Sequence, residues 1–256
     1  MNVGQRPDLS VIIPAKNEAE NLPDLLSEIE DALRADLAFE VLVVDDGSDD
    51  HTEAVVRDHM AERPWLRLIK HDRSAGKSAA VRSGAFAATG EFVVTLDGDG
   101  QNNPADVPRM IEILKEPNTR VALVAAERVG RTDTVIKKLA SRFANSLRSA
   151  VLHDKTRDTA NGLKAMRRDA YLRLPFFDTM HRFFPALIVR EGFEVGHIDV
   201  VDRPRRHGQS KYGILDRALV SIGDMVGLFW LIRRRKIIPA VEIVEPEPKP
   251  VGSEND

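Results

Sequence analysis

Between residues 9 and 126 the chain repeats one pattern: a short apolar run, a polar loop, then an amphipathic stretch of helical period. Parallel strands cannot be joined by tight turns, so an alternation of this kind specifies a mostly parallel sheet covered by its crossover helices. The apolar runs lie at 9–13, 39–44, 66–70, 91–96 and 120–126, and helices are predicted over 22–35, 50–62, 77–89 and 105–116. Gly90 is placed to end the third helix and Pro104 to open the fourth. The expected fold class is α/β with a Rossmann-like sheet.

After residue 126 the pattern predicts a long helix over 133–152, a short strand near 162–167, a helix near 181–191 and a strand near 193–201. No linker separates this part from the first, so residues 1–213 are expected to form one domain. Residues 214–238 read as an appended amphipathic helix with a basic end, and 239–256 as a disordered tail rich in proline and acid. With 43% hydrophobic and 30% charged residues, neither global disorder nor a polytopic membrane protein fits. A net charge of −3 gives no general attraction to nucleic acid. The absence of cysteine excludes disulfides, thiolate metal sites and a Cys nucleophile. The first ten residues, MNVGQRPDLS, lack the basic and apolar regions of a signal peptide, so the protein is expected to stay inside the cell.

In an open α/β sheet, ligands bind beyond the carboxyl ends of the strands. The loops there read PAKNEAE, DDGSDD and DGDGQNNP, all polar and acid-rich. A strand ending in Asp97-Gly98-Asp99 projects two carboxylates from one short turn, suited to Mg²⁺ or Mn²⁺ while a diphosphate supplies the other oxygens. An EF-hand reading of the same loop fails, because Asn102 holds its glycine position and Pro108 its terminal glutamate position. A rival site is HDRSAGKS at 71–78, which ends like a Walker A loop but has His71 in place of the first glycine. No G-x-G-x-x-G follows any strand, which argues against a dinucleotide site.

Taken in order, VIIPAKNEAENL, VLVVDDGSDDHT, SAGKSAAVRSGAFAATGEFVVTLDGDGQNNP and RPRRHGQSKYG resemble the family 2 glycosyltransferases, in particular their dolichol-phosphate mannose synthase group. The likeness spans about residues 9–213 and accounts for the GKS segment without a P-loop. It implies the glycosyltransferase A-type fold and an inverting, metal-dependent transfer of a sugar from GDP-mannose or a UDP-sugar to a polyprenyl or dolichyl phosphate. By the same resemblance Pro14, Lys16, Glu18, Val44 and Asp46 fall at nucleotide contacts. Asp97, Gly98, Asp99 and Gln101 fall where the diphosphate and the Mg²⁺ or Mn²⁺ bind, with Asp97, Asp99 and Gln101 as the metal set. Arg205 and Lys211 match residues that hold the donor phosphates, and Arg128, Arg142 and Ser146 match acceptor-phosphate positions. Asp99, Arg205 and Lys211 are the expected catalytic residues. The chain departs from the family at Lys16, where Tyr is common, at Asp97-Gly98-Asp99-Gly100, where Asp-Ala-Asp-Leu is common, and at Asn161-Gly162-Leu163, where Ser-Gly-Phe is usual.

These residue types suit that chemistry. Negative charge builds up on the leaving diphosphate, and a metal with Arg205 and Lys211 on a glycine-flanked loop would stabilise it. A lipid phosphate already carries its nucleophilic charge and needs positioning more than a base. The basic stretch 128–148 suits an anionic acceptor, and Asp158 is a supporting residue beside it. A transferase acting on a glycan hydroxyl, or a nucleotide- or lipid-binding regulator without turnover, are the alternatives. In 214–232, Leu215, Leu219, Ile222, Val226, Phe229 and Ile232 make one apolar face followed by Arg233–Lys236. That helix either lies on the cytoplasmic face of a membrane, peripherally attached, or packs on protein: this domain, another copy in a homo-oligomer, or a membrane-protein partner.

Overall fold

The computed structural model describes residues 7–129, 152, 156–201, 203–204 and 214–236, the side chains of the last segment from 223 onward. Seven strands form one sheet: β1 (Leu9–Ala15), β2 (Phe39–Asp45), β3 (Leu66–Lys70), β4 (Phe92–Thr95), β5 (Val121–Arg128), β6 (Lys164–Arg167) and β7 (Glu194–Val200), in the order β3-β2-β1-β4-β6-β5-β7. The helices are α1 (Leu22–Leu33), α2 (Thr52–Met60), α3 (Lys77–Ala87), α4 (Val107–Lys115), α5 (Arg168–Leu172), α6 (Phe184–Arg190) and α7 (Ile214–Arg233). The helix predicted over 133–152 and the tail over 239–256 lie outside the described residues, apart from Leu152.

The central strands are apolar because both of their faces are covered. Along β1, Val11 and Ile13 enter the core under α1 and α4, whereas Ile12 enters the opposite core with Ala80, Val81 and Ala85 of α3. Strand β2 is buried along its whole length. The chain runs outward from β1 to β3 and then returns to place β4 on the other side of β1. The reversal of strand order between β1 and β4 is the topological switch point, where such sheets bind ligands.

One strand breaks the parallel pattern. β6 runs antiparallel to both β4 and β5, with Thr95 opposite Lys164. Its first residues, rather than its last, therefore sit at the carboxyl end of β4. Asn161 and Gly162, which lead into it, are delivered to the Asp97 loop.

Candidate active site

The loops after β1 and β2 are tied to each other. Ser48 Oγ accepts from the Asn17 amide at 3.0 Å, the Asn17 side chain exchanges bonds with Asp49, and Thr52 Oγ1 accepts from the Glu18 amide at 2.9 Å. Pro14 and Val44 are register partners at the ends of these strands. The Asp46 carboxylate gathers four donors from the next loop: His71 Nδ1 at 2.7 Å and Ser74 Oγ, Ala75 N and Gly76 N each at 2.8 Å. Burial opposes its ionisation, but these donors outweigh it and hold the carboxyl below the usual range. Asp46 thus fixes the loop that starts α3, the work that a phosphate would do in a P-loop.

The β4 loop stands beside this assembly. A Cβ on Gly98 would meet Glu18 Cγ at 3.1 Å, so the two acidic loops touch. Asn102 Oδ1 accepts from the Asp97 amide at 3.1 Å, and Asp99 Oδ1 accepts from the Gln101 amide at 3.2 Å. Lys77, from the GKS segment, forms an ion pair with Asp97. Burial opposes ionisation of Asp97, but the Lys77 ammonium more than offsets this and lowers its pKa. The carboxylate rests on Gly162, where any Cβ would overlap it.

The basic loop starts at the same place. Gln101 O accepts from the Arg203 amide at 3.2 Å, and Arg203 donates to Glu28 at 2.7 Å and to Asn103. The root of the 203–213 segment is therefore pinned to the DGDGQNN loop. Arg205, Lys211, Arg142 and Ser146 lie outside the described residues. Arg128 stands at the carboxyl end of β5 and is held by Asp158 through two guanidinium nitrogens, at 2.5 and 3.0 Å. Burial raises the Asp158 pKa, and the Arg128 bonds lower it further than that.

Among the described residues no cluster of three His, Asp or Glu side chains is arranged to enclose a metal. Two carboxylates and an amide on one loop fit an ion that takes its remaining oxygens from a diphosphate, the usual habit of Mg²⁺. Asp99 and Gln101 fit this directly, whereas Asp97 would share its charge between the ion and Lys77.

Beside Lys77, the partner of Asp97, lies a cavity of about 590 Å³ walled by the start of α3, the Asn161–Lys164 segment and residues 178–184. Lys77, Lys164, His181 and Arg182 line it, and among the described residues Asp178 is the one acidic side chain in the lining. Lys164 is buried, bonded to the Thr159 and Asn161 carbonyls, and is pushed down to about 7 by burial and by Lys77. Burial and the same lysines keep His181 neutral, with its Nδ1 2.7 Å from Ser78 Oγ. The sequence pointed to none of these four as site residues, although the GKS tripeptide was visible.

Residues 10–174 match the family described as Glycosyl transferase family 2. The chain belongs to that family. It is 31% identical over 234 residues to a dodecaprenyl-phosphate galacturonate synthase of Rhizobium johnstonii, covering 90% of this chain and 68% of that one. It is 33% identical over 210 residues to an undecaprenyl-phosphate 4-deoxy-4-formamido-L-arabinose transferase of Sodalis glossinidius, covering 81% and 63%. The chain thus spans about two thirds of the length of these polyprenyl-phosphate sugar transferases. Among solved structures it is similar to a mannosyltransferase of Pyrobaculum calidifontis in complex with GDP-Man and Mn²⁺, with a TM-score of 0.65, 25% identity and coverage of 92% and 67%. Glucosyl-3-phosphoglycerate synthase of Mycobacterium tuberculosis shares the fold, with a TM-score of 0.65 at 20% identity and coverage of 88% and 80%.

Proposed function

We propose that this family 2 member is a metal-dependent, inverting glycosyltransferase that moves a sugar from a nucleoside-diphosphate sugar to a polyprenyl phosphate at the membrane face. The observation that carries this reading is the joint between Gln101 and Arg203, which ties the acidic loop to the root of the basic one. A diphosphate between them would meet an ion on one side and guanidinium and ammonium groups on the other. The GDP-Man and Mn²⁺ bound by the mannosyltransferase above, and the lipid phosphates named for the two relatives, support the same assignment.

In this reading Pro14, Lys16, Glu18 and Val44 border the nucleoside, with Asp46 holding the loop that faces it. Asp97, Asp99 and Gln101 hold the ion, whose chemistry is to neutralise charge on the leaving diphosphate. Arg205 and Lys211 close over the phosphates, while Arg128, Arg142 and Ser146 orient the acceptor phosphate. Residues 1–213 form the catalytic unit and 214–238 its peripheral anchor, with 239–256 as a tail.

Helix α7 supports peripheral attachment. Among the described residues no helix is long and apolar enough to cross a membrane. One side of α7 packs on the domain, with Leu228 buried and Asp224 accepting from Thr179 Oγ1 at 2.5 Å. The other side exposes Val226 and Trp230, and Arg233 and Arg234 lie over the rings of Phe229 and Trp230. An aromatic and arginine strip of this kind suits an anionic headgroup layer on the cytoplasmic side, and it is also where a second copy or a membrane-protein partner would dock.

The test is one assay. Purified protein is incubated with polyprenyl phosphate and a panel of UDP- and GDP-sugars, with Mg²⁺, Mn²⁺ or EDTA. A metal-dependent sugar-phosphate lipid is expected; no product from any donor, or undiminished product in EDTA, refutes the proposal.

A further inference from the structure

A threonine with positive φ is rare, because its branched Cβ crowds the backbone there. Thr179 has φ 62° and ψ 2°, in the left-handed region, and stands just before the single helical turn Met180–Arg182. A residue persists in that region only where its surroundings hold it, and such positions gather at functional sites. Bonds of two kinds hold this one. Its amide donates to Asp178 Oδ1 at 2.7 Å and its carbonyl accepts from the Arg182 amide at 3.0 Å, both local. Its hydroxyl donates to Asp224 Oδ2 at 2.5 Å, on α7 and forty-five residues further along the chain. Helix α7 is itself fixed to the domain: Leu228 is buried, and Arg190 Nε donates to the Leu231 carbonyl at 3.3 Å.

Thr179 lines the cavity beside Lys77. Two residues on, His181 grips the start of α3: its amide donates to Ser78 Oγ at 3.3 Å, and its Nδ1 lies 2.7 Å from the same oxygen. Ser78 is buried and follows Lys77, whose ammonium pairs with Asp97. A continuous path therefore runs from Asp224 through Thr179, His181 and Ser78 to the acidic loop. The cavity on this path is built for a ligand, since Asn161 in its lining is 3% exposed and its Nδ2 has no hydrogen-bond partner. A buried amide of that kind is completed by a polar ligand atom, and a wall displaced by about an ångström loses the fit. Coupling along such a path needs an element with two arrangements. Thr179 supplies it, left-handed while Asp224 holds it and in an ordinary backbone region once released.

We infer that α7 is part of the site and not only its anchor: Asp224 is a positioning residue that keeps Thr179 left-handed and so fixes where Lys77 stands against Asp97. The inference rests on the proposed place of Asp97 in the donor site and deepens that reading, because it carries the catalytic unit past residue 213. Without the Asp224 bond Thr179 relaxes, and the 178–184 wall, the His181–Ser78 contact and the Lys77 pairing shift with it. The effect falls on the donor, whose metal and nucleotide meet the Asp97 loop.

The test is run on the full chain in detergent with a short polyprenyl phosphate, so that membrane attachment by α7 plays no part. Transfer is measured as kcat/KM for the donor, and binding without acceptor as the Kd of GDP and of UDP with Mn²⁺ by calorimetry. Asp224→Ala and Thr179→Val each remove the bond from one side. Both are expected to lower kcat/KM at least tenfold and to weaken binding of the nucleotide the protein accepts at least threefold. Asp224→Asn keeps an acceptor oxygen and should lose less than threefold in kcat/KM. Asparagine enters the left-handed region more readily than threonine, so Thr179→Asn added to Asp224→Ala should recover at least fivefold. A general loss of α7 packing would not be repaired by a change at Thr179. Wild-type transfer and binding in Asp224→Ala or Thr179→Val overturn the inference, as does a double variant no better than Asp224→Ala. If both single variants fail to fold, the bond serves stability and the inference is overturned as well. No transfer to any acceptor, with the order of nucleotide binding among the variants kept, breaks the transfer reading and leaves the positioning role standing; no nucleotide binding by the wild type breaks both.

Discussion

The two sides of the acidic loop are built in opposite ways. On the side of the β1 and β2 loops the polar groups are tied to one another within the protein: Asp46 holds four donors, and Asn17, Ser48 and Asp49 bond one another across two loops. On the cavity side, an amide donor is orphaned and a buried ammonium sits on main-chain carbonyls. The first side is shaped before any ligand comes. The second keeps buried polar groups with unmet bonding capacity, and sites of this kind trade stability for binding.

The largest effect is expected at the border between the two. Asp99→Ala removes a carboxylate proposed to hold the ion, and kcat/KM should fall on the order of 10²–10³-fold with little change in Tm. Undiminished transfer would place the ion elsewhere. Next comes the pre-built side: Asp46→Ala leaves several buried donors without their acceptor, and stability should drop on the order of 2 kcal/mol, read by urea denaturation. A near-neutral result would mean that the 71–76 loop is held by something other than this carboxylate.

Much of this was legible in the sequence. The strands and crossover helices followed from apolar period, and the three acidic loops from their place after buried runs. Three features were not legible. Strand β6 has four residues, KAMR, too few for period to show that it runs backward, so Asn161-Gly162-Leu163 was visible as a departure from a family motif but not as a wall of the Asp97 loop. Lys77 looked like part of a failed P-loop, and its pairing with Asp97 depends on how α3 packs on the sheet. Arg128 matched an acceptor-phosphate position, but its Asp158 partner is thirty residues on and meets it only in the fold.

Smaller effects probe the cavity side. Gly162→Ala puts a methyl where the Asp97 carboxylate lies, and transfer should fall roughly 10-fold by displacing a positioned group. Wild-type transfer in that variant would show that Asp97 can move without harm. Lys164→Met removes a buried amine whose charged form is disfavoured by burial, and stability should rise by roughly 0.5–2 kcal/mol while transfer drops. Its folded pKa of about 7 lies below the ordinary 10.5, so between those values the unfolded chain binds the extra proton. Wild-type stability should therefore rise with pH across that window, and the Lys164→Met protein should lose that part of the slope. An identical slope in both would assign it to other groups.

The ion pair between Lys77 and Asp97 bears on the order in which ligands arrive. A metal ion that comes alone meets a loop already half neutralised by the protein's own ammonium. A metal that arrives with a nucleotide brings oxygens of its own and does not need to displace that lysine. The enzyme should therefore ignore free Mg²⁺ at concentrations where it takes up the metal–nucleotide complex, which makes the donor itself the courier of the cofactor.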